Sequence, residues 1–280
     1  MLHIVSDSSI LYNQKDAKEK LGVFTTPLSV TVNGKSYREF EEIDSKAFLE
    51  IIEEGHHPGS SQPAIGEKLE LYEELSKDGE VLDITMSAGL SGTYDSACSA
   101  RSSVDNKEKV HVFNSKTLCG PHRYMVEKTS ELLKENKTID EIIEVLDKAS
   151  ESEISFLIPF DFSFLVRGGR VNGVVGGVGA MLHLIPIMMK TEDGRRLEKY
   201  AIARTVKKAV SDVIEGLKKK GCDGTYHFFV SHAFNDEVAD KFIEAIKNEF
   251  DTDNIKKLLL SPAFITQGGP KCVAIQAIKL

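Results

Sequence analysis

Cysteine is sparse. Four residues, Cys98, Cys119, Cys222 and Cys272, lie far apart and form no C-x-x-C pair. That spacing excludes a cysteine redox or metal motif and predicts free thiols in a reducing compartment. The eight histidines form no H-x-x-x-H pair and none pairs with a cysteine at metal-ligand spacing, so no metal is expected. No apolar run approaches the roughly 18 residues that span a bilayer, so no stable membrane insertion is expected. Positive charge is not in excess. The formal net charge is −8, which disfavours non-specific nucleic-acid binding. The chain starts on a strand-like Leu2-His3-Ile4-Val5-Ser6 in place of a basic-then-apolar leader, giving the expectation of a cytoplasmic protein. G-K-[ST] is absent. Gly176-Gly177-Val178-Gly179 does not match G-x-G-x-x-G, so the common nucleotide-binding loops are not indicated. Paired carboxylates for acid–base work are also missing, and Glu39-Phe40-Glu41-Glu42 reads as an exposed acidic run.

The chain has 280 residues, 41% of them hydrophobic, enough for a sizeable core in one large or two ordinary domains. Up to about residue 150, strand and helix signals alternate. Apolar runs at Leu2–Ser6, Val81–Met86 and Val110–Phe113 are separated by helical periodicities such as Asn13–Leu21, Asp44–Glu53 and Ile65–Leu75. Asn33-Gly34 predicts a tight hairpin, and Thr138-x-x-Glu141 is a capping box. Such alternation predicts a parallel, doubly wound α/β sheet. Beyond 150 the pattern changes. Strands at Ile154–Ile158, Leu184–Lys190, Leu197–Ala203, Tyr226–Ser231, Ile255–Leu260 and Cys272–Ile278 surround helices at Thr205–Lys220 and Asp236–Phe250. This predicts an α+β domain over 151–280 with a mixed or antiparallel sheet, after an α/β domain over 1–150.

In doubly wound sheets ligands sit beyond the carboxyl ends of the strands. Three such ends carry serine here: Ser8-Ser9, Ser87 with Ser91, and Ser115. The turn Ser87-Ala88-Gly89-Leu90-Ser91-Gly92-Thr93 joins a strand to a helix. Its hydroxyls and backbone N–H groups are expected to face one point, which suits an anion or carboxylate. Gly89-Leu90-Ser91-Gly92-Thr93 departs from the nucleophile elbow G-x-S-x-G, because Thr93 replaces the last glycine, and no histidine is evidently placed to activate Ser91. A helix cap is the plain alternative. Gly59-Ser60-Ser61-Gln62-Pro63 reads as a cap with Pro63 in the first helical turn. Arg167 and Arg170 flank a glycine-rich segment running to Gly179. Arg204 ends a strand beside apolar residues and is a candidate for an anionic head group.

These pieces together resemble the DegV family of bacterial fatty-acid-binding proteins. The resemblance runs end to end through Asp7-Ser8-Ser9, Pro27-Leu28-Ser29-Val30, Ser60-Ser61-Gln62-Pro63, Ser87–Tyr94, Gly168-Gly169-Arg170-Val171, Ile185-Pro186-Ile187 and Arg204-Thr205. It implies a long-chain fatty acid as ligand, no other cofactor and no catalysis by the chain itself. It also implies, for some members, a carrier role for a separate fatty acid kinase that makes acyl-phosphate for phospholipid synthesis. Carried over residue by residue, the carboxylate site falls on Ser60, Ser61, Ser87, Ala88 and Ser91. Ala88 stands where the family has a second serine. The head-group vicinity falls on Arg170, Arg204 and Gln267, with Gln267 standing where the family often has histidine. An acyl tunnel is expected among Leu118, Phe164, Leu165, Leu182, Ile185 and Phe264, with Leu90, Phe160, Met181 and Ile187 as further candidates. Two other classes stay open on the residues alone: a serine esterase using Ser91 or Ser87, and a phospho-ligand-binding module using the glycine run with Arg170.

Overall fold

The computed structural model describes residues 1–172 and 184–280. The first sheet is fully parallel. It contains β1 (Leu2–Asp7), β2 (Val23–Thr26), β6 (Glu80–Thr85) and β7 (Val110–Asn114), in the order β2-β1-β6-β7. Helices cover both faces, as the near-continuous apolar runs of these strands require. On one side lie α3 (Ile65–Leu75) and α4 (Thr93–Ser102), which close on Val5, Tyr72, Val81 and Val110. On the other lie α5 (Cys119–Lys134) and α6 (Ile139–Ser152), which bury Met125, Val126, Ile142 and Leu146. The capping box at Thr138 and Glu141 opens α6 with both of its hydrogen bonds formed.

A second sheet has six strands in the order β10-β9-β8-β13-β11-β12. These are β8 (Ile154–Ile158), β9 (Ile185–Lys190), β10 (Leu197–Ala203), β11 (His227–His232), β12 (Ile255–Leu259) and β13 (Val273–Ile278). All neighbours run antiparallel except β11 and β12, so the sheet is mixed. Its outer face packs on α8 (Val206–Lys219) and α9 (Asp236–Phe250). Its inner face meets α5. There Gly120 leaves no room for a side chain, since a Cβ would lie 2.2 Å from the Phe229 ring.

A small third sheet joins β3 (Ser29–Val32), β4 (Lys35–Arg38) and β5 (Gly59–Ser61). Asn33 and Gly34 turn the β3–β4 hairpin with φ of 51° and 74°, the left-handed pair that this tight turn demands. Helix α2 (Ser45–Glu53), capped by Asp44, packs with this sheet against the short helix α10 (Pro262–Gly268). Two expectations are corrected here. Ser60 and Ser61 do not cap a helix: their backbone pairs with Val30 and Ser29, and α3 begins only at Ile65. Glu39 is not exposed. It is fully buried, where its carboxylate accepts from Ser8 Oγ at 2.5 Å and from the Ala263 backbone N–H at 3.0 Å. That carboxylate ties the third sheet to the first turn of α10, and burial pushes its pKa up to about 7.

Candidate functional site: a polar mouth on an apolar cavity

Period-two alternation along the central strands of the second sheet builds the site. On β8, Phe156 and Ile158 belong to the core shared with α8 and α9, whereas Ser155 and Leu157 line a cavity on the inner side. On β13, Val273, Ile275 and Ala277 face that core, and Ala274 and Gln276 line the cavity. The first sheet supplies Met86 and Leu90, beyond the carboxyl end of β6. Thr117, Leu118 and Cys119 come from the entry to α5, and Phe264 and Gln267 from α10. Leu165 comes from α7 (Phe162–Gly168), a short helix that the sequence reading passed over. The interior holds about 110 Å³ with an overwhelmingly apolar wall. That is comparable to a cavity holding one benzene-sized group.

A second space of about 310 Å³ shares a wall with it and is far more polar. Its walls include Ser60, Ser61, Gln62, Ser91 and Gly92, while Met86, Leu90, Arg170, Phe264 and Gln267 line both spaces. Gln267 Nε2 donates to Ser60 Oγ at 2.9 Å, which leaves the Ser60 proton free to point elsewhere. Ser91 Oγ lies 2.8 Å from Thr93 Oγ1. Arg170 is half-buried and held by two carbonyls, Leu90 O at 3.1 Å from Nε and Gly168 O at 2.5 Å from Nη1. Burial, and then the nearby Arg196 charge, lower the Arg170 pKa from its ordinary value. Among the described residues neither arginine has a carboxylate within ion-pair distance. Arg196 lines neither space, so Arg170 is the guanidinium at the mouth, and its charge with no facing carboxylate favours an anion there. Cys119 and Cys272 also line the interior. Burial pushes the Cys272 thiol up to about 12 and that of Cys119 well above its usual value, so neither is a thiolate at neutral pH.

Of the residues singled out in the sequence, Ser60, Ser61, Ser91, Arg170, Gln267, Leu90, Leu118, Leu165 and Phe264 come together around these two spaces. Others do not. Ser87 is buried behind the turn and donates to Gly194 O at 2.7 Å, in the β9–β10 hairpin. Ala88 is likewise absent from both walls, its N–H donating to Asn114 Oδ1 at 3.1 Å. Some of the turn's backbone donors are already taken. Met86 N–H is taken by Asp7, Ser87 N–H by Thr117 O, and Ser91 N–H by Ser87 O. Arg204 is exposed at the end of β10 and lines neither space. Ile185 and Ile187 sit on the outer face of β9, against the α8 and α9 core. Phe164 packs into the core around α10, and Phe160 is 38% exposed. Ser8, Ser9 and Ser115 do not converge on the site. They bond to Glu39, His122 and Thr117 respectively. Met181, Leu182 and the glycine run to Gly179 lie outside the described residues.

Arg196 was missed by the sequence reading. It donates from Nη1 to Gly89 O at 2.5 Å, locking the turn to the hairpin. Gly89 itself has φ 88°, and a Cβ there would lie 2.7 Å from Arg195 Cβ, so glycine is required on both counts. Gln276, Ser155 and Lys190 were also missed, because a polar residue within an apolar strand run carries no sign of what it faces.

The family model described as "Uncharacterised protein, DegV family" matches residues 1–280. A DegV domain-containing protein of Listeria innocua is 31% identical over 273 residues, covering 95% of this chain and 94% of that one. A DegV domain-containing protein of Staphylococcus aureus is 32% identical over 284 residues, covering 99% and 98%. The crystal structure of DegV from Bacillus subtilis, described as a fatty acid binding protein, superposes with a TM-score of 0.84 at 30% identity, covering 100% and 99%.

Proposed function

Because this chain belongs to the DegV family, we propose that it binds a long-chain fatty acid, its carboxylate in the polar mouth and its chain in the apolar interior. The observation that carries this reading is the adjacency of the two spaces, which share Leu90, Arg170, Phe264 and Gln267. A carboxylate taken from water costs several kcal/mol unless it is paired and hydrogen-bonded. Ser60, Ser61 and Ser91 hydroxyls and the Arg170 guanidinium offset that cost. Each methylene buried then contributes about 0.8 kcal/mol. The interior of about 110 Å³ is smaller than a long chain, so lining side chains such as Leu157, Leu197 and Phe264 move aside as the chain enters. Residues 1–150 and 151–280 act in this reading as two domains with the site where they meet. Ser87, Ala88 and Arg204 are left out of the head-group contacts.

The chain is a carrier with no chemistry of its own, working in the cytoplasm, where its four thiols stay free. An esterase would need a base on Ser91, whose close partner is Thr93, while His122 is engaged with Ser9. We further propose that the bound acid is presented to a separate fatty acid kinase. Gln267 can neither take nor give a proton, so proton transfer in that step falls to the kinase. Organic extraction of the purified protein followed by mass spectrometry tests the binding. A co-purified long-chain acid is expected. An acyl adduct on serine would instead mark an esterase, and a phosphorylated ligand a phospho-ligand module. Acyl-phosphate formed on mixing with a fatty acid kinase and ATP tests the presentation.

A further inference from the structure

The apolar interior carries a few polar groups on the wall away from the mouth. Gln276 on β13 is 1% exposed and lines the cavity. Its Nε2 donates to Leu118 O at 3.0 Å and to Ser155 Oγ at 2.9 Å. The Ser155 hydroxyl in turn donates to the Glu153 carboxylate, which pairs with Lys190 Nζ. Lys190 also donates to Lys116 O at 2.9 Å, and Ser155 and Lys190 form part of the cavity wall. Both amide hydrogens of Gln276 are therefore used, while its Oε1 has no partner among the described residues. A buried acceptor left unpaired is costly, and a hydrocarbon chain end cannot satisfy it. An apolar side chain at this position would suit a plain acyl chain better.

We infer that the wall of the cavity away from the mouth recognises a hydroxyl on the acyl chain, through the free Gln276 Oε1, so that the preferred ligand is a hydroxylated long-chain fatty acid. This rests on the reading that the cavity takes a fatty acid at all. The orphan atom is an acceptor, so the matching group is a donor. A second carboxylate would set oxygen against the Gln276 Oε1 acceptor, and an ammonium would meet Lys190. A neutral hydroxyl satisfies the acceptor and does not disturb that charge.

The test is a calorimetric titration of the full chain, stripped of lipid, with acids from decanoic to octadecanoic. Each is compared with its ω-hydroxy and its α,ω-dicarboxylic counterpart. At one chain length the ω-hydroxy acid is expected to bind about fivefold tighter than the plain acid, the value of one buried neutral hydrogen bond. The dicarboxylic acid is expected to be the weakest of the three. Gln276→Leu should reverse the first preference. If that variant does not fold, the sign of the difference in the wild-type protein still decides. A plain acid that binds tighter at every length overturns the inference and leaves fatty-acid binding standing. A dicarboxylic acid that binds tightest overturns it in favour of a second anion site. Absence of binding by any of the acids removes the reading beneath it as well.

Discussion

Two groups of buried polar side chains lie close to the Ser87–Thr93 turn, and they are organised in opposite ways. In the first sheet the strongest groups pair with one another, although Asp83 Oδ1 has no partner among the described residues. Lys68 Nζ meets Asp83 Oδ2 at 2.5 Å with both side chains fully buried, and Tyr72 donates to the same oxygen. His122, fully buried, faces Ile84 O with Nε2 at 2.9 Å and accepts from Ser9 Oγ at Nδ1. Around the cavity the counterparts are unmatched: Arg170 has carbonyl partners and no acid, and the amide oxygens of Gln267 and Gln276 have no partner among the described residues. The paired groups hold the fold, and in the proposed reading the unmatched ones that line the cavity meet the ligand. Serine shows the division within a few residues, since Ser87 is spent on Gly194 O while Ser91 lines the mouth.

That division makes testable claims, and the largest concerns the closed group. Lys68→Met leaves the Asp83 carboxylate buried with only Tyr72 to support it. Breaking one side of such a pair is expected to cost about 3–5 kcal/mol, read from urea denaturation. If the loss is below about 1 kcal/mol, the pair is not what holds this layer together.

Glu39 gives the next largest effect and a definite sign. Its folded pKa of about 7 stands above the ordinary 4.5, so between those values the folded protein binds more protons than the unfolded chain. Its contribution is fully present below about pH 4.5 and is lost as pH rises through about 7. The total is on the order of 3 kcal/mol. The difference in stability between wild type and Glu39→Gln, followed across that window, isolates it. A flat difference would mean that the carboxylate is ionised throughout.

Effects in the open group should appear in affinity before stability. Arg170→Gln is expected to weaken binding of hexadecanoate roughly thirtyfold, the value of a charged hydrogen bond, with a smaller loss in the denaturation midpoint. The smallest effects come from the paired comparison of two serines. Ser60→Ala should weaken binding about fivefold at nearly unchanged stability. Ser87→Ala should cost about 1 kcal/mol of stability and leave affinity alone. The opposite pattern would exchange the roles assigned to the two hydroxyls.

Much of this architecture can be read from local patterns. The parallel sense of the first sheet follows from the alternation of strand and helix signals, and the Asn33-Gly34 hairpin and the Thr138 capping box follow from residue chemistry within a few positions. What could not be read is which way a side chain faces once two sheets meet. Ile185 and Ile187 look as suited to a tunnel as Leu118, yet β9 turns them to the outer face. Glu39 sits in an acidic run that looks solvated, and only the arrival of Ala263, far away in sequence, buries it. Arg196 gains its meaning in the same way, from Gly89 on the other sheet.

Strand β13 places Ile275 in a hydrocarbon core and Gln276 against the cavity, one residue apart. Its two faces therefore answer to different masters, and the chain can afford no slip in its pairing. Insertion of one residue ahead of Val273 would thrust an amide among the phenyl rings beneath α9 and an isoleucine into the lumen. This central strand thus sets, by parity alone, which of its side chains the cavity meets.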